Sequence, residues 1–348
     1  MPKIPTFRNL EKEKYLELKS ELFSKEAQAK GTYRHHQYDF CLADGHSDKN
    51  LHSSFRLEAI KYFADRHIPW HDGCNERRLP SNHLCCSQSS CVNFLFPMVT
   101  NEKLLTHVFK QIYPELKTPL QMVVGDVVKG GDYPYMSFEW IGLEDYLGET
   151  NRKPGKRTRG AHYTSADFAF RFKRDDGKIQ IVLGEWKYTE YYSREDKGEN
   201  QVRIRNYQDA FYRSPGVFRS RVEGLYRSFF FEPFYQLMRL QLLAQEMEYH
   251  HEMGADIVTV LHVSPIANRE FREGVTSAYL SNQFPGQGVM DIWKKLVDPS
   301  KFISVSVEDM LGFIGKSGSV ADKDWVSYLQ ERYSFYPWGV RRFPGTRK

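Results

Sequence analysis

Residues 166 to 190 read ADFAFRFKRDDGKIQIVLGEWKYTE. Two runs rich in Phe, Ile, Val and Leu flank Asp-Asp-Gly, a combination that confines the chain to an antiparallel hairpin built into a sheet. A three-residue loop of Asp175, Asp176 and Gly177, with the glycine in the left-handed region, closes Arg174 on Lys178. Asp167 then stands opposite Glu185, and Lys187, two positions along the same strand, joins both carboxylates on one face. Trp186 and Tyr188 point the other way. A two-residue Asp176-Gly177 turn would instead put Asp167 on the face opposite Glu185, so the juxtaposition depends on the turn type.

Two neighbouring carboxylates repel unless a cation sits between them, and hard oxygen ligands with open positions suit Mg2+, with Mn2+ as a substitute. Such an ion can bridge a scissile phosphate, lower the pKa of a bound water and stabilise charge developing on the phosphorane. Beside acids the Lys187 amine stays protonated, able to orient the attacking water; partly desolvated, it could act as a base. The plainer alternative is a structural Glu185–Lys187 ion pair. The acid-x-Lys spacing recurs at Glu17/Lys19 and Glu195/Lys197, but in charged, helical or loop-like text with no apolar strand.

A chain of 348 residues can bury a large core without covalent staples. Five Cys, an odd number, and no charged-then-apolar leader argue against a secreted disulfide framework and point to a cytoplasmic protein. Every apolar run stops short of the roughly 18 to 20 residues a membrane span needs, and mean hydropathy is −0.59. The net charge of +5 permits a polyanionic partner without demanding one. Helices are expected over residues 9 to 29, over FRLEAIKYFADRH, and from Ser87 to Phe96, with Pro97 kinking a continuation over 101 to 113. QMVVGDVV and YMSFEWIG read as strands, residues 200 to 213 as a helix, the apolar stretch from Gly224 as a helix divided at Pro233, and DIVTVLHVSP as a strand.

An acid on one strand, a turn, and an apolar strand ending in Glu-x-Lys resemble the PD-(D/E)XK nuclease superfamily. LGEWKYTEYY, HLCCSQSSCVNFLFP, EPFYQLMRLQLLA and LHVSPIANREF are similar, more closely, to a bacterial family of restriction-endonuclease-like proteins, over roughly residues 80 to 275. The resemblance implies an α/β fold with a restriction-endonuclease-like core, αβββαβ, whose mixed central sheet is flanked by helices. An N-terminal helical arm over 1–80 would precede that core at 81–275, with a C-terminal extension at 276–348 packed on it. It also implies Mg2+-dependent phosphodiester hydrolysis, usually of DNA, by a metal-activated water, with Asp167 and Glu185 as metal ligands and Lys187 positioning the nucleophile. Ala166 replaces the superfamily's proline, and where many relatives carry a glutamate on the first core helix this chain offers Gln88 or Asn93. The third metal ligand is thus unassigned. Many such nucleases pair to cut both strands; this sequence carries no dimer signal.

Glu139, an acid amid aromatics, could extend the acidic site from the neighbouring strand or serve a structural hydrogen bond. Glu190, Tyr191 and Tyr192 lie just past the strand end, and Gln208 with Tyr212 resembles a Gln-xxx-Tyr element of exonuclease-like members. Arg152, Lys153, Lys156, Arg157 and Arg159 form a basic loop where flexible cations would meet a phosphate backbone, and the C-terminal Arg341, Arg342, Arg347 and Lys348 have a weaker claim. Cys74, Cys85, Cys86 and Cys91 match no zinc or cluster spacing and read as free thiols; no phosphate-binding glycine loop suggests ATP coupling. Two rivals remain: a nucleic-acid-binding protein on the same fold that no longer cuts, and a nuclease acting on RNA.

Overall fold

The computed structural model describes residues 6–73, 79–122, 134–150, 157–159, 163–220 and 223–335. The expected N-terminal helix is α1 (Phe7–Leu22), capped by the Thr6 hydroxyl and burying Phe7, Glu11, Tyr15 and Lys19 on one i, i+4 stripe. It ends well before residue 29 because Phe23 turns extended, with φ −127° and ψ 149°. A hairpin of β1 (Gly31–Tyr33) and β2 (His36–Tyr38) follows, in a stretch where no element was expected from the sequence. Then come α2 (Arg56–Asp65), α3 (Ser87–Leu95) and α4 (Glu102–Phe109), the last two separated by a single-turn 3-10 segment at Pro97, as its missing N–H and ring dictate.

The central sheet contains β3 (Leu116–Leu120), β4 (Met136–Trp140), β5 (Ala166–Arg174), β6 (Ile179–Trp186), β7 (Ile257–Ser264) and β8 (Phe302–Ser306). Its order is β3-β5-β6-β7-β8, and β4 also pairs with β5, next to β3 along the same edge. The β3–β5, β4–β5 and β5–β6 pairs are antiparallel, whereas β6–β7 and β7–β8 are parallel, giving a mixed sheet. The helical return from β6 to β7 is α5 (Gln201–Tyr212), α6 (Glu223–Ser228) and α7 (Phe234–Tyr249), divided at Pro233 as expected. Beyond β7 come α8 (Arg269–Glu273), α9 (Ala278–Gln283), α10 (Val289–Leu296), α11 (Val307–Gly315) and α12 (Lys323–Tyr333). This is the restriction-endonuclease-like arrangement the sequence implied.

Two strands of the central sheet were not anticipated. β3 carries Lys117, Thr118 and Pro119, text without apolar alternation, and is tolerated as an edge strand with an irregularity between Leu116 and Thr118. β8 lies in the segment assigned to a C-terminal extension, yet hydrogen-bonds to β7 and completes the sheet. Most of QMVVGDVV lies outside the described residues. One face of the sheet packs on a core running from Phe7 and Tyr15 to Trp325 and Tyr333, so α1 and α12 enter one cluster. The other face packs on α5, α7 and α10 through Phe211, Leu237, Met238 and Trp293. Among the described residues no helix is long and apolar enough to cross a membrane.

Candidate active site

The β5–β6 register settles the turn question. Phe168 pairs with Gly184 and Lys173 with Ile179, Arg174 N–H donates to the Lys178 carbonyl at 2.8 Å, and Gly177 sits at φ +87°. The three-residue loop is therefore the one adopted, and the ladder brings Asp167 level with Glu185. The Trp186 N–H donates to Asp167 Oδ2 at 2.6 Å, and Lys187 Nζ lies 2.5 Å from Glu185 Oε1. Glu185 and Lys187 are only 7% and 8% exposed, at the base of a cleft of about 600 Å3. Trp186 and Tyr188 face the core as expected, the indole N–H donating to Ser90 Oγ at 3.2 Å.

Burial, and then the charge of Glu185, push the Asp167 carboxyl well above the usual carboxylate range, against the opposing pull of Lys187. Burial works against the Lys187 ammonium, but Glu185, Tyr192 and Asp167 outweigh it and raise its pKa. The cluster is thus two crowded acids and one firmly charged amine.

Glu139 belongs to the same cleft. Phe138–Phe168 and Trp140–Ala166 pair on either side of it, so it stands level with Asp167 on the strand opposite Glu185. Its backbone has φ +52°, a left-handed conformation costly for a non-glycine residue and characteristic of functional sites. The carboxylate is held from three sides: Gln88 Nε2 donates at 2.9 Å, Ser165 Oγ at 2.9 Å, and His71 Nε2 lies 3.4 Å away. Burial raises its pKa, but His71, Gln88 and Ser165 together hold it below the ordinary value; the hydrogen bond to Glu139 in turn raises that of His71. Gln88, on α3, also accepts from the His71 backbone N–H at 2.8 Å. Where a first-helix glutamate was sought, the glutamine therefore organises an acid supplied by β4. Asn93, the other candidate, is a core residue bonding Asn50, His52 and Tyr333.

Glu190 and Tyr192 line the cleft as well; Tyr191 does not. Gln208 is exposed on α5 and Tyr212 packs on Phe211 and Tyr226, so neither reaches the site. Arg152, Lys153, Lys156 and Cys74 lie outside the described residues, as do Arg341, Arg342, Arg347 and Lys348. Arg157 is not the free cation the loop suggested: its guanidinium donates to the Ile141 and Gly142 carbonyls at 2.5 and 3.1 Å, and Arg159 covers the Trp140 ring at 4.7 Å. Cys41, Cys85, Cys86 and Cys91 form no disulfide. Sequence reasoning missed the other cations that line the cleft, Arg8, Lys12 and Arg34, because α1 and the first hairpin lie far from the motif in the chain; Arg8 also donates to the Thr189 carbonyl at 3.0 Å. It also missed His71 and Arg239, the latter donating to Thr164 Oγ1 at 2.9 Å.

A family model described as restriction endonuclease associating with ARP matches residues 13–334. The chain belongs to this family. The match extends well beyond the 80–275 span of the motifs, in keeping with a core that takes in α1 and α12. Searches of curated proteins and of solved structures returned no match. Membership in a restriction-endonuclease-like family makes nuclease chemistry the frame for the cleft.

Can the donor set take a divalent cation? Among the described residues no group of three or more His, Cys, Asp and Glu side chains is poised around one point. Asp167 and Glu185 nevertheless present hard oxygens on one face, where burial first and then the charge of Glu185 lift the Asp167 pKa despite the pull of Lys187. Mg2+ commonly takes one or two carboxylates and fills its remaining positions with water and substrate phosphate, so this pair fits that ion.

Proposed function

We propose that this protein is a Mg2+-dependent nuclease of the PD-(D/E)XK type that hydrolyses phosphodiester bonds, with DNA as the favoured substrate. The reading is carried by one observation: Asp167 and Glu185 face each other beside Lys187 at the base of a cleft, with the Asp167 carboxyl destabilised as an anion. Asp167 and Glu185 would hold the cation, which supplies Lewis-acid charge at the scissile phosphate and favours ionisation of the attacking water.

The protein's own residues do the rest. The Trp186 N–H fixes the Asp167 carboxylate from behind, so its free oxygen faces the cleft without rotational search. Lys187, protonated and pinned by Glu185, is oriented to hold the water and to offset negative charge growing on the phosphoryl oxygens. His71, exposed at the cleft, is steered by buried Glu139, whose hydrogen bond raises its pKa and so favours a positive charge beside the acidic pair. In hydrolysis the water oxygen bonds to phosphorus and gives up a proton to solvent at the mouth of the cleft, while the P–O bond to the leaving oxygen breaks and that oxygen takes up a proton from solvent.

The test is cleavage of supercoiled plasmid, linear duplex, single-stranded DNA and RNA with Mg2+, Mn2+ or EDTA, alongside folded Asp167→Ala and Lys187→Ala proteins. Metal-dependent cutting abolished in both variants is expected. A wild type that binds nucleic acid equally with or without these side chains and never cuts would replace the enzyme with a binding protein on the same fold.

A further inference from the structure

One part of the cleft lining has a composition that phosphodiester hydrolysis does not explain. Arg8 and Lys12, one turn apart on α1, and Arg34, at the tip of the β1–β2 hairpin, line the cleft together with Tyr33, Tyr38 and Phe40. The rings form a ribbon: Tyr38 stacks on Phe40 at 4.9 Å and 29°, Phe40 meets His83 at 5.0 Å, and Tyr33 meets His83 at 4.7 Å. Lys12 Nζ lies 4.6 Å above the Phe40 ring, and Arg8 lies 4.9 Å from Tyr191. Unlike the sheet-packing aromatics, these rings are only half-buried.

The hairpin that carries them is held under strain. Arg34 and His35 form its two-residue turn with φ +46° and +69°, a conformation normally left to Asn and Gly. Asp72 holds it in place, accepting from the Tyr33 hydroxyl at 2.7 Å and from Arg34 Nη2 at 3.2 Å, and Asp72 adjoins His71 of the acidic cluster. A costly turn, tied down so that a cation and a ring face a cleft, is the pattern of a ligand-binding element rather than of a linker.

We propose that this wall is a stacking subsite for an unpaired nucleotide, so that the nuclease acts on single-stranded or locally unpaired nucleic acid; the proposal rests on the nuclease reading of the same cleft. Ring faces accept any base, and interleaved cations track the backbone, which is how single strands are held without sequence preference. The depth of the site points the same way. Glu139, Glu185 and Lys187 are 3%, 7% and 8% exposed, so the scissile phosphate must descend into the cleft. A strand still paired and stacked would have to bring its complement with it or surrender its pairing first, whereas an unpaired strand enters without that cost.

The decisive experiment uses the full-length Asp167→Ala protein, which separates binding from cutting. Its affinities are measured for a 2-aminopurine-labelled single strand, as DNA and as RNA, and for the same DNA sequence closed as a duplex. Single-stranded binding at least about tenfold tighter than duplex binding is expected, with a fluorescence change on stacking. Phe40→Ala should weaken it about 5- to 150-fold, and Lys12→Gln should lower the salt slope by about 0.7. Arg34→Gln, at an exposed position, is expected to weaken the single strand too and serves where Phe40→Ala does not fold. The ratio of DNA to RNA affinity assigns the polymer.

Equal affinity for single strand and duplex, or folded variants that leave single-strand affinity unchanged, would overturn the subsite, even if the wild type cuts. Single-strand binding as described, from a wild type that cuts nothing with any metal, would leave the subsite standing and remove the nuclease.

Discussion

Replacing Asp167 by Asn should make the protein more stable and inactive at once. Asn is isosteric, and its Oδ1 can keep the hydrogen bond that Asp167 Oδ2 accepts from the Trp186 N–H at 2.6 Å. What disappears is the carboxyl, whose folded pKa is raised well above its ordinary value by burial and by Glu185. A raised carboxyl pKa means the folded state holds a proton that the unfolded state has released. Stability in the absence of metal therefore falls as pH rises from about 4 through the folded pKa, and is lowest above it. At about 1.4 kcal/mol per pH unit, over the roughly three units between pH 7 and the free Asp value of about 3.9, the penalty at pH 7 cannot exceed about 4 kcal/mol. Asp167→Asn is expected to recover about 1–4 kcal/mol of this. Denaturant unfolding at pH 5, 6, 7 and 8 in EDTA, wild type against variant, measures it. Mg2+ at a hundred times its Kd should stabilise the wild type by about 2.7 kcal/mol and the variant by far less. A variant less stable than wild type at pH 8, or one with the same pH slope, would refute the view that Asp167 and Glu185 are crowded anions awaiting a cation.

Four further substitutions test neighbouring claims. Lys187→Met should lower the cleavage rate about 10²- to 10³-fold in steady-state assays while circular dichroism stays native. Gly184→Ala would place a Cβ 2.1 Å from the buried Phe168 ring, directly across the ladder, and should cost about 1–3 kcal/mol in denaturant unfolding while displacing Glu185. Gln88→Ala leaves buried Glu139 short of one donor and the His71 N–H without its acceptor, an expected loss of about 1–3 kcal/mol by thermal unfolding. Arg332→Met strips a fully buried guanidinium from Asn50, the Leu84 carbonyl and Tyr15, and a destabilisation of about 3 kcal/mol or more is expected from urea titration.

What could be read from the chain, and what could not, follows from how far each signal reaches. The β5–β6 hairpin was legible because its determinants are local: two apolar runs, an Asp-Asp-Gly turn, and a period of two that fixes which residues share a face. Pro97 and Pro233 marked their helix breaks for equally local reasons. Glu139 was visible as an acid in apolar text, but its left-handed backbone and its clasp by Gln88, Ser165 and His71 join four separate stretches of chain. The cationic wall was missed for the same reason. Conversely, Arg157 looked like a phosphate contact, whereas both its terminal guanidinium nitrogens donate to the carbonyls of Ile141 and Gly142. Charge density along a sequence counts cations and says nothing about which are already engaged.

Arg332 has one more consequence, in the order of synthesis. It sits on α12, yet bonds Asn50 and Tyr15, so α12 clasps the N-terminal helix that carries Arg8 and Lys12. Every residue of the cleft leaves the ribosome before that clasp does. A nascent chain that has emerged as far as Leu240 thus carries the residues that line the cleft without the buckle on α12 that holds the N-terminal helix in place.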